Sequence, residues 1–242
     1  MAGRVIVTGG AGVIGMAICR RLRESGQAPI ALDLPTMIGS VDRSAPHNRS
    51  IEYIAVDVTK RGDIEAAAEV LDDGTPLAGL VNCAGILRDT FLGKVSDDQM
   101  NAMFQVNVAG MARVTDVLAP LLDDGSAIVN IGSVTGHIGR FVGASVYGAT
   151  KAGVAAYTTY LAVELAPRKI RVNNVAPGVI RAPMSPSMAA VSSGEESSAA
   201  QTILRRIGEP EEVAEVVEFM LSPRASYITG QTLMVDGGFV AR

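Results

Sequence analysis

Short, continuously apolar runs alternate along this chain with longer amphipathic stretches, and that alternation restricts the fold to repeated βα units. Runs such as Gly79-Leu80-Val81 and Ala127-Ile128-Val129 have no polar face, as strands covered by helices on both sides require. Strands are predicted at 4–8, 29–33, 52–57, 79–82, 127–132, 171–175 and 232–235. Helices are predicted at 13–24, stopped by Gly26, at 147–166, stopped before Pro167, and at 210–221, opened by Pro210. Ser96-Asp97-Asp98-Gln99 reads as a capping box that opens a further long helix towards Leu122. Right-handed crossovers stack such units into an α/β fold: a doubly wound, Rossmann-like parallel sheet of about seven strands with helices on both faces.

No internal repeat or linker divides the 242 residues, so 1–242 is expected to be a single dinucleotide-binding domain. Two stretches resist the βα reading. Residues 34–50 are polar with Pro35 and Pro46, and are expected to be a loop with room for one short helix. Residues 182–207, rich in Ser, Ala, Met and Pro up to position 200, follow a strand end and are expected to form a substrate lid, an inert surface loop being the alternative. A net charge of −4 leaves no basic surplus for a nucleic-acid partner. Two His and two Cys offer no metal-ligand spacing, so no metal is expected, and Cys19 and Cys83 read as small buried hydrophobes. A strand follows Arg4 at once and no apolar run reaches ~20 residues, so no leader and no membrane partner are expected and the localisation is expected to be cytoplasmic.

The turn Thr8-Gly9-Gly10-Ala11-Gly12-Val13-Ile14-Gly15 lies between the first strand and first helix, the context in which a glycine-rich turn holds a pyrophosphate. Gly9 suits the tight turn, Gly12 removes a Cβ where phosphate must approach, and Gly15 lets helix and strand pack; with Ile14 these are the candidate cofactor contacts. Asp33 ends the next strand, near the ~20-residue spacing expected for a carboxylate bonding the adenosine ribose. That carboxylate, with no Arg or Lys in the glycine turn, favours NAD over NADP. As a bare turn residue Asp33 would need the glycine pattern to be coincidence.

Tyr147 and Lys151 stand four apart on a predicted helix and share a face. A phenol titrates near pH 10, and an adjacent ammonium is expected to lower that value towards a useful range for a proton donor and acceptor. The alternative for the pair alone is a surface Tyr stacked on a Lys stem.

In order and spacing, Gly9/Gly12/Gly15, Asp57-Val58, Asn82-Cys83-Ala84-Gly85, Asn107, Ser133, Tyr147/Lys151, Pro177-Gly178, Gly230-Gln231 and Val235-Asp236-Gly237-Gly238 resemble the short-chain dehydrogenase/reductase family, in its short one-domain branch. The resemblance spans nearly the whole chain and implies roles at matching positions. Ser133 would hold the substrate oxygen. Tyr147 would exchange the proton, and Lys151 would also hold the nicotinamide ribose. Asn107 would interrupt its helix to bind a relay water. Asp57 and Val58 would contact adenine, Asn82, Ala84 and Gly85 would line the cofactor channel, and Pro177, Gly178 and Ile180 would pack by the nicotinamide. A homotetramer is implied as well. Three positions depart from the pattern: Val13 stands where the short branch has glycine, Ala182 where a Thr is frequent, and Cys83 where Asn is commoner.

These features predict an NAD(H)-dependent oxidoreductase that interconverts a secondary alcohol and a ketone. Ile86-Leu87-Arg88-Asp89 resembles 3-oxoacyl-carrier-protein reductases and hydroxyacyl-CoA dehydrogenases. Val142, Met184 and Met188 suggest an apolar pocket wall, while Asp123-Asp124 would oppose docking of an acidic carrier protein. The expected substrate is therefore an apolar or acyl-type hydroxy or keto compound. The alternatives are a non-catalytic NAD-binding redox sensor, against which the intact Asn107, Ser133, Tyr147 and Lys151 count, and an epimerase or dehydratase with tightly held NAD.

Overall fold

Inward-facing residues on alternate sides of each strand give this sheet two apolar layers, as a period of two dictates for strands buried on both faces. The structure is a computed structural model and describes residues 3–45, 47–182 and 199–241. Seven strands, β1 (Arg4–Thr8), β2 (Ala28–Asp33), β3 (Glu52–Ala55), β4 (Leu77–Asn82), β5 (Leu122–Ile131), β6 (Arg171–Pro177) and β7 (Thr232–Val235), form one parallel sheet in the order β3-β2-β1-β4-β5-β6-β7. Val5, Val7, Val81 and Val129 point to the layer closed by α1 (Val13–Glu24). Their neighbours Ile6, Leu80 and Ile128 point the other way.

Between β2 and β4 the chain forms α2 (Pro35–Gly39) and α3 (Arg61–Leu71). Beyond β4 it runs through α4 (Asp97–Phe104), a π-helical turn (Gln105–Gly110) and α5 (Met111–Leu118). Next come α6 (Ser145–Glu164) and, past residue 199, α7 (Pro210–Leu221). Met16, Ile18 and Leu22 of α1 pack with Val213, Val217 and Met220 of α7 on one side. Ile64 and Leu71 of α3, Val114 and Leu118 of α5, and Leu161 of α6 cover the other.

The first and seventh helices match their predicted bounds, and Gly26 ends α1 in the left-handed region. The long helix opens at Ser96, whose hydroxyl accepts the Gln99 amide at 3.2 Å. Helical turns then run without a gap to Leu121, as the sequence predicts, with a π-helical turn around Asn107 and a closing 3-10 turn (Ala119–Leu121) at Pro120. Strand β5 begins at Leu122 rather than 127, because Leu122 pairs with Leu77 ahead of a register shift. Helix α3 lies where no helix is predicted, although Ile64, Ala67 and Leu71 form its buried stripe at i, i+3 and i+7. Among the described residues, no helix is long and apolar enough to cross a membrane and no cluster could hold a metal ion.

Candidate active site

The winding reverses between β1 and β4, and the carboxyl ends of these neighbours open a crevice, the place where doubly wound sheets take ligands. Thr8 sets the spacing of the two turns: its hydroxyl accepts the amides of Cys83 and Ala84, each at 3.1 Å. Gly9 takes φ +66°, a conformation that only glycine adopts freely. At Gly15 a Cβ would collide with the Gly9 carbonyl and lie 2.8 Å from Gly10 Cα, so helix and turn touch backbone to backbone. Gly12 caps α1 without a side chain, and a Cβ there would meet nothing nearer than the Gly9 oxygen at 3.2 Å. The space above the first turn is therefore open, and the helix presents amides and the positive end of its dipole to it. That cradle fits a dinucleotide pyrophosphate. Ile14 packs against the apolar layer beneath, while Val13 is exposed. Gly10, absent from the sequence-based set, is equally constrained: a Cβ would lie 2.6 Å from that of Ala31.

Around this cradle, Asp33 accepts the Ala11 amide at 2.9 Å and the Leu34 amide at 2.8 Å, so its carboxylate is fixed beside the glycine turn. The Asp57 carboxylate is engaged locally, by the amide and hydroxyl of Thr59 at 3.0 and 2.7 Å. Val58 is buried against Gly110, at the end of the π-helical turn. Asn82 turns its side chain beneath the sheet ends, donating to Asn130 at 2.9 Å and Thr115 at 3.1 Å. Its backbone leads into Ala84 and Gly85 at the crevice. Pro177 ends β6, the Gly178 amide donates to the Val235 carbonyl at 2.9 Å, and Ile180 is buried against the apolar layer.

Ser133, Tyr147, Lys151 and Asn107 come together at the carboxyl end of β5. Ser133 lies two residues past the end of the strand, and its hydroxyl donates to the Thr135 hydroxyl at 3.1 Å. One helical turn separates Tyr147 and Lys151 on α6, and the ammonium lies 5.7 Å from the ring centroid. Lys151 Nζ donates to the Ile131 carbonyl at 2.7 Å. Asn107 grips the loop after β4 from both sides: its Nδ2 donates to the Ile86 carbonyl at 2.9 Å, and its Oδ1 accepts the Ile86 amide at 2.8 Å. The interruption of the helix that the family resemblance implied at Asn107 is the π-helical turn, which aims this amide sideways out of the helix.

The electrostatics correct one sequence expectation. Burial pushes the Tyr147 phenol up rather than down, the neighbouring Ser133 hydroxyl opposing this only in part. Burial also lowers Lys151 from 10.5 to about 8. Burial thus shifts each group towards its neutral form, and Tyr147 stands as a protonated phenol at neutral pH. The thiol of Cys83, pushed up to about 12 by burial, is inert packing.

Some expected parts lie elsewhere. Asp123 and Asp124 sit near the amino end of β5, opposite the end that carries Ser133, and Asp124 pairs with Arg168 at 2.9 Å. Within one chain these carboxylates do not face the site, so they give no argument there against a carrier protein. Most of the expected lid, with Met184 and Met188, lies outside the described residues. Its last part is tied down: Leu204 donates to the Gly237 carbonyl at 3.1 Å and Thr202 is buried. Val142 is exposed beside the loop that holds Thr90, whose amide donates to the Gly143 carbonyl at 2.7 Å.

Three comparisons bear on this arrangement. The family model described as enoyl-(acyl carrier protein) reductase matches residues 9–240. The chain is 35% identical to 3-oxoacyl-[acyl-carrier-protein] reductase of Thermotoga maritima over 240 residues, covering 97% of this chain and 96% of the relative. Among solved structures, a short-chain dehydrogenase/reductase titled glucose/ribitol dehydrogenase from Brucella melitensis superposes with a TM-score of 0.90 at 31% identity, covering 98% of this chain and 96% of the other. A blue fluorescent protein from a metagenomic library, solved with NADPH, gives 0.87 at 30% identity, covering 98% and 97%.

Proposed function

The chain belongs to the short-chain dehydrogenase/reductase family, and from that premise we propose that it is an NAD(H)-dependent oxidoreductase acting on an apolar or acyl-type secondary alcohol or ketone. The observation that carries the proposal is the meeting of Tyr147 and Lys151 on one face of α6, the ammonium 5.7 Å from the ring centroid, with Ser133 just past the end of β5. A bound nicotinamide dinucleotide supplies the hydride donor or acceptor. The chain's own residues handle the oxygen and its proton. Ser133 and Tyr147 hydroxyls hold the carbonyl oxygen, and Tyr147 gives its proton to that oxygen as it turns into an alcohol. Lys151 then stabilises the phenolate left behind, and the sequence runs backwards for oxidation. The amide held between Asn107 and the Ile86 backbone keeps the loop after β4 against Lys151: a Cβ on Gly85 would lie 3.4 Å from both Asn107 Oδ1 and Lys151 Nζ.

Preference for NAD rests on Asp33, whose carboxylate beside the glycine turn would repel a 2′-phosphate. Support for an apolar or acyl substrate comes from exposed Phe91, Leu92 and Val142 on the loops after β4 and before α6, and from the named activity of the Thermotoga relative. We assign a homo-oligomeric state because α6 carries apolar residues on its outer face too, with Ala149, Ala152, Ala156, Tyr160 and Val163 exposed. Titration with NADH and NADPH by fluorescence, followed by a screen of ketones and β-keto thioesters for loss of reduced-nicotinamide absorbance, tests the reading. Tighter NADH binding with turnover on one of these classes is expected. NADH binding without turnover across the panel would overturn it in favour of a sensor.

A further inference from the structure

We propose that Thr150, which touches neither the crevice nor the reacting atoms, is a positioning residue that fixes the orientation of the Asn107 amide and thereby the loop facing Lys151. Thr150 and Asn107 are both buried, at 0% and 1% exposure. The Thr150 hydroxyl donates its single proton to the Tyr147 carbonyl at 2.7 Å. It can therefore only accept from Asn107, and it does so from Nδ2 at 3.0 Å. This settles which end of the Asn107 amide is the NH2. One of its two protons goes to Thr150 and the other to the Ile86 carbonyl, leaving Oδ1 to accept the Ile86 amide. A flipped amide would set its oxygen against the Ile86 carbonyl and its NH2 against the Ile86 amide, two repulsive contacts in a dry site. Thr150 thus links three elements, the π-helical turn, the loop after β4 and the helix that carries Tyr147 and Lys151.

The inference deepens the proposed function and rests on Lys151 and Tyr147 doing the proton chemistry. Its test therefore has one arm free of activity. Thr150→Val keeps the shape and deletes the hydroxyl; Thr150→Ser keeps the hydroxyl. In the ligand-free full chain, hydrogen exchange at the Ile86 amide is expected to rise by about tenfold or more in Thr150→Val and to stay as in the parent in Thr150→Ser. With a substrate that the parent turns over, kcat is expected to fall by about tenfold in Thr150→Val while KM moves by less than about twofold. Thr150→Ser should restore kcat. Should Thr150→Val not fold, Thr150→Ala carries the same reading. Unchanged Ile86 exchange overturns the proposal, as does raised exchange with unaltered kcat, which would make Thr150 a purely structural residue. If the parent turns nothing over, the functional reading fails, and the exchange arm still decides whether Thr150 sets the clamp.

Discussion

Replacing Lys151 with Met should destroy turnover and at the same time stabilise the fold at neutral pH. Lys151 is 4% exposed, and burial lowers it from 10.5 to about 8. Each pH unit between those values is worth about 1.4 kcal/mol, so the buried ammonium costs the folded chain about 3 kcal/mol at pH 7. Losing the hydrogen bond to the Ile131 carbonyl, 2.7 Å long, returns about 1 kcal/mol of that. The net gain for Lys151→Met is about 2 kcal/mol, or roughly 4–8 °C in Tm for a chain of this length. The sign changes with pH. Between about 8 and 10.5 the unfolded chain binds more protons than the folded one, so the parent gains stability as pH rises through that window. Below about 8 the penalty is fully present; above 10.5 it is gone and only the lost hydrogen bond remains. Thermal melts of both chains from pH 7 to 10.5 should show the variant more stable at the low end and slightly less stable at the high end. A variant that melts lower at pH 7, or by a constant margin across the range, would refute the claim that burial rather than pairing governs this lysine.

Three further outcomes follow from the same geometry. Because reduction needs the Tyr147 proton and the Lys151 ammonium, its kcat/KM should fall by about tenfold per pH unit above about 8, while oxidation rises; a flat reduction profile to pH 9.5 would contradict this. Asp33→Ala should narrow the NADH-over-NADPH affinity ratio by roughly tenfold or more, and an unaltered ratio would mean the carboxylate does not reach the ribose. Gly15→Ala, which drives a Cβ into the Gly9 carbonyl, should abolish dinucleotide binding in a fluorescence titration and lower Tm by several degrees, whereas near-parent affinity would show the turn has room to spread.

The parts of this molecule that the sequence displays are those governed by periodicity and by local caps. Doubly buried strands appear as uninterrupted apolar runs, and α1 and α7 are bracketed by Gly26 and Pro210 to the residue. Less visible were features decided by tertiary pairing. The early start of β5 depends on Leu122 meeting Leu77, and nothing local to Asp123-Asp124-Gly125 announces a strand. Of the site, the glycines and the Tyr147/Lys151 pair carry their spacing on the chain, but the direction in which burial moves Tyr147 does not. It depends on how little solvent reaches the phenol, which the sequence cannot display. Gly10 was missed because its constraint lies across the sheet, against Ala31. The bonds that Asn82 Nδ2 donates to Asn130 and Thr115 form a buried polar network that only the fold assembles.

The reaction turns on the proton carried by the Tyr147 phenol, and Tyr147→Phe removes that hydroxyl while keeping the ring that packs with Leu87 and Met103. NADH affinity should stay within about twofold of the parent, and turnover on any substrate found for the parent should drop by about a thousandfold or more. Residual turnover within tenfold of the parent, at normal NADH affinity, would show that another group moves the proton and that the Ser133–Tyr147–Lys151 arrangement is not the reaction centre.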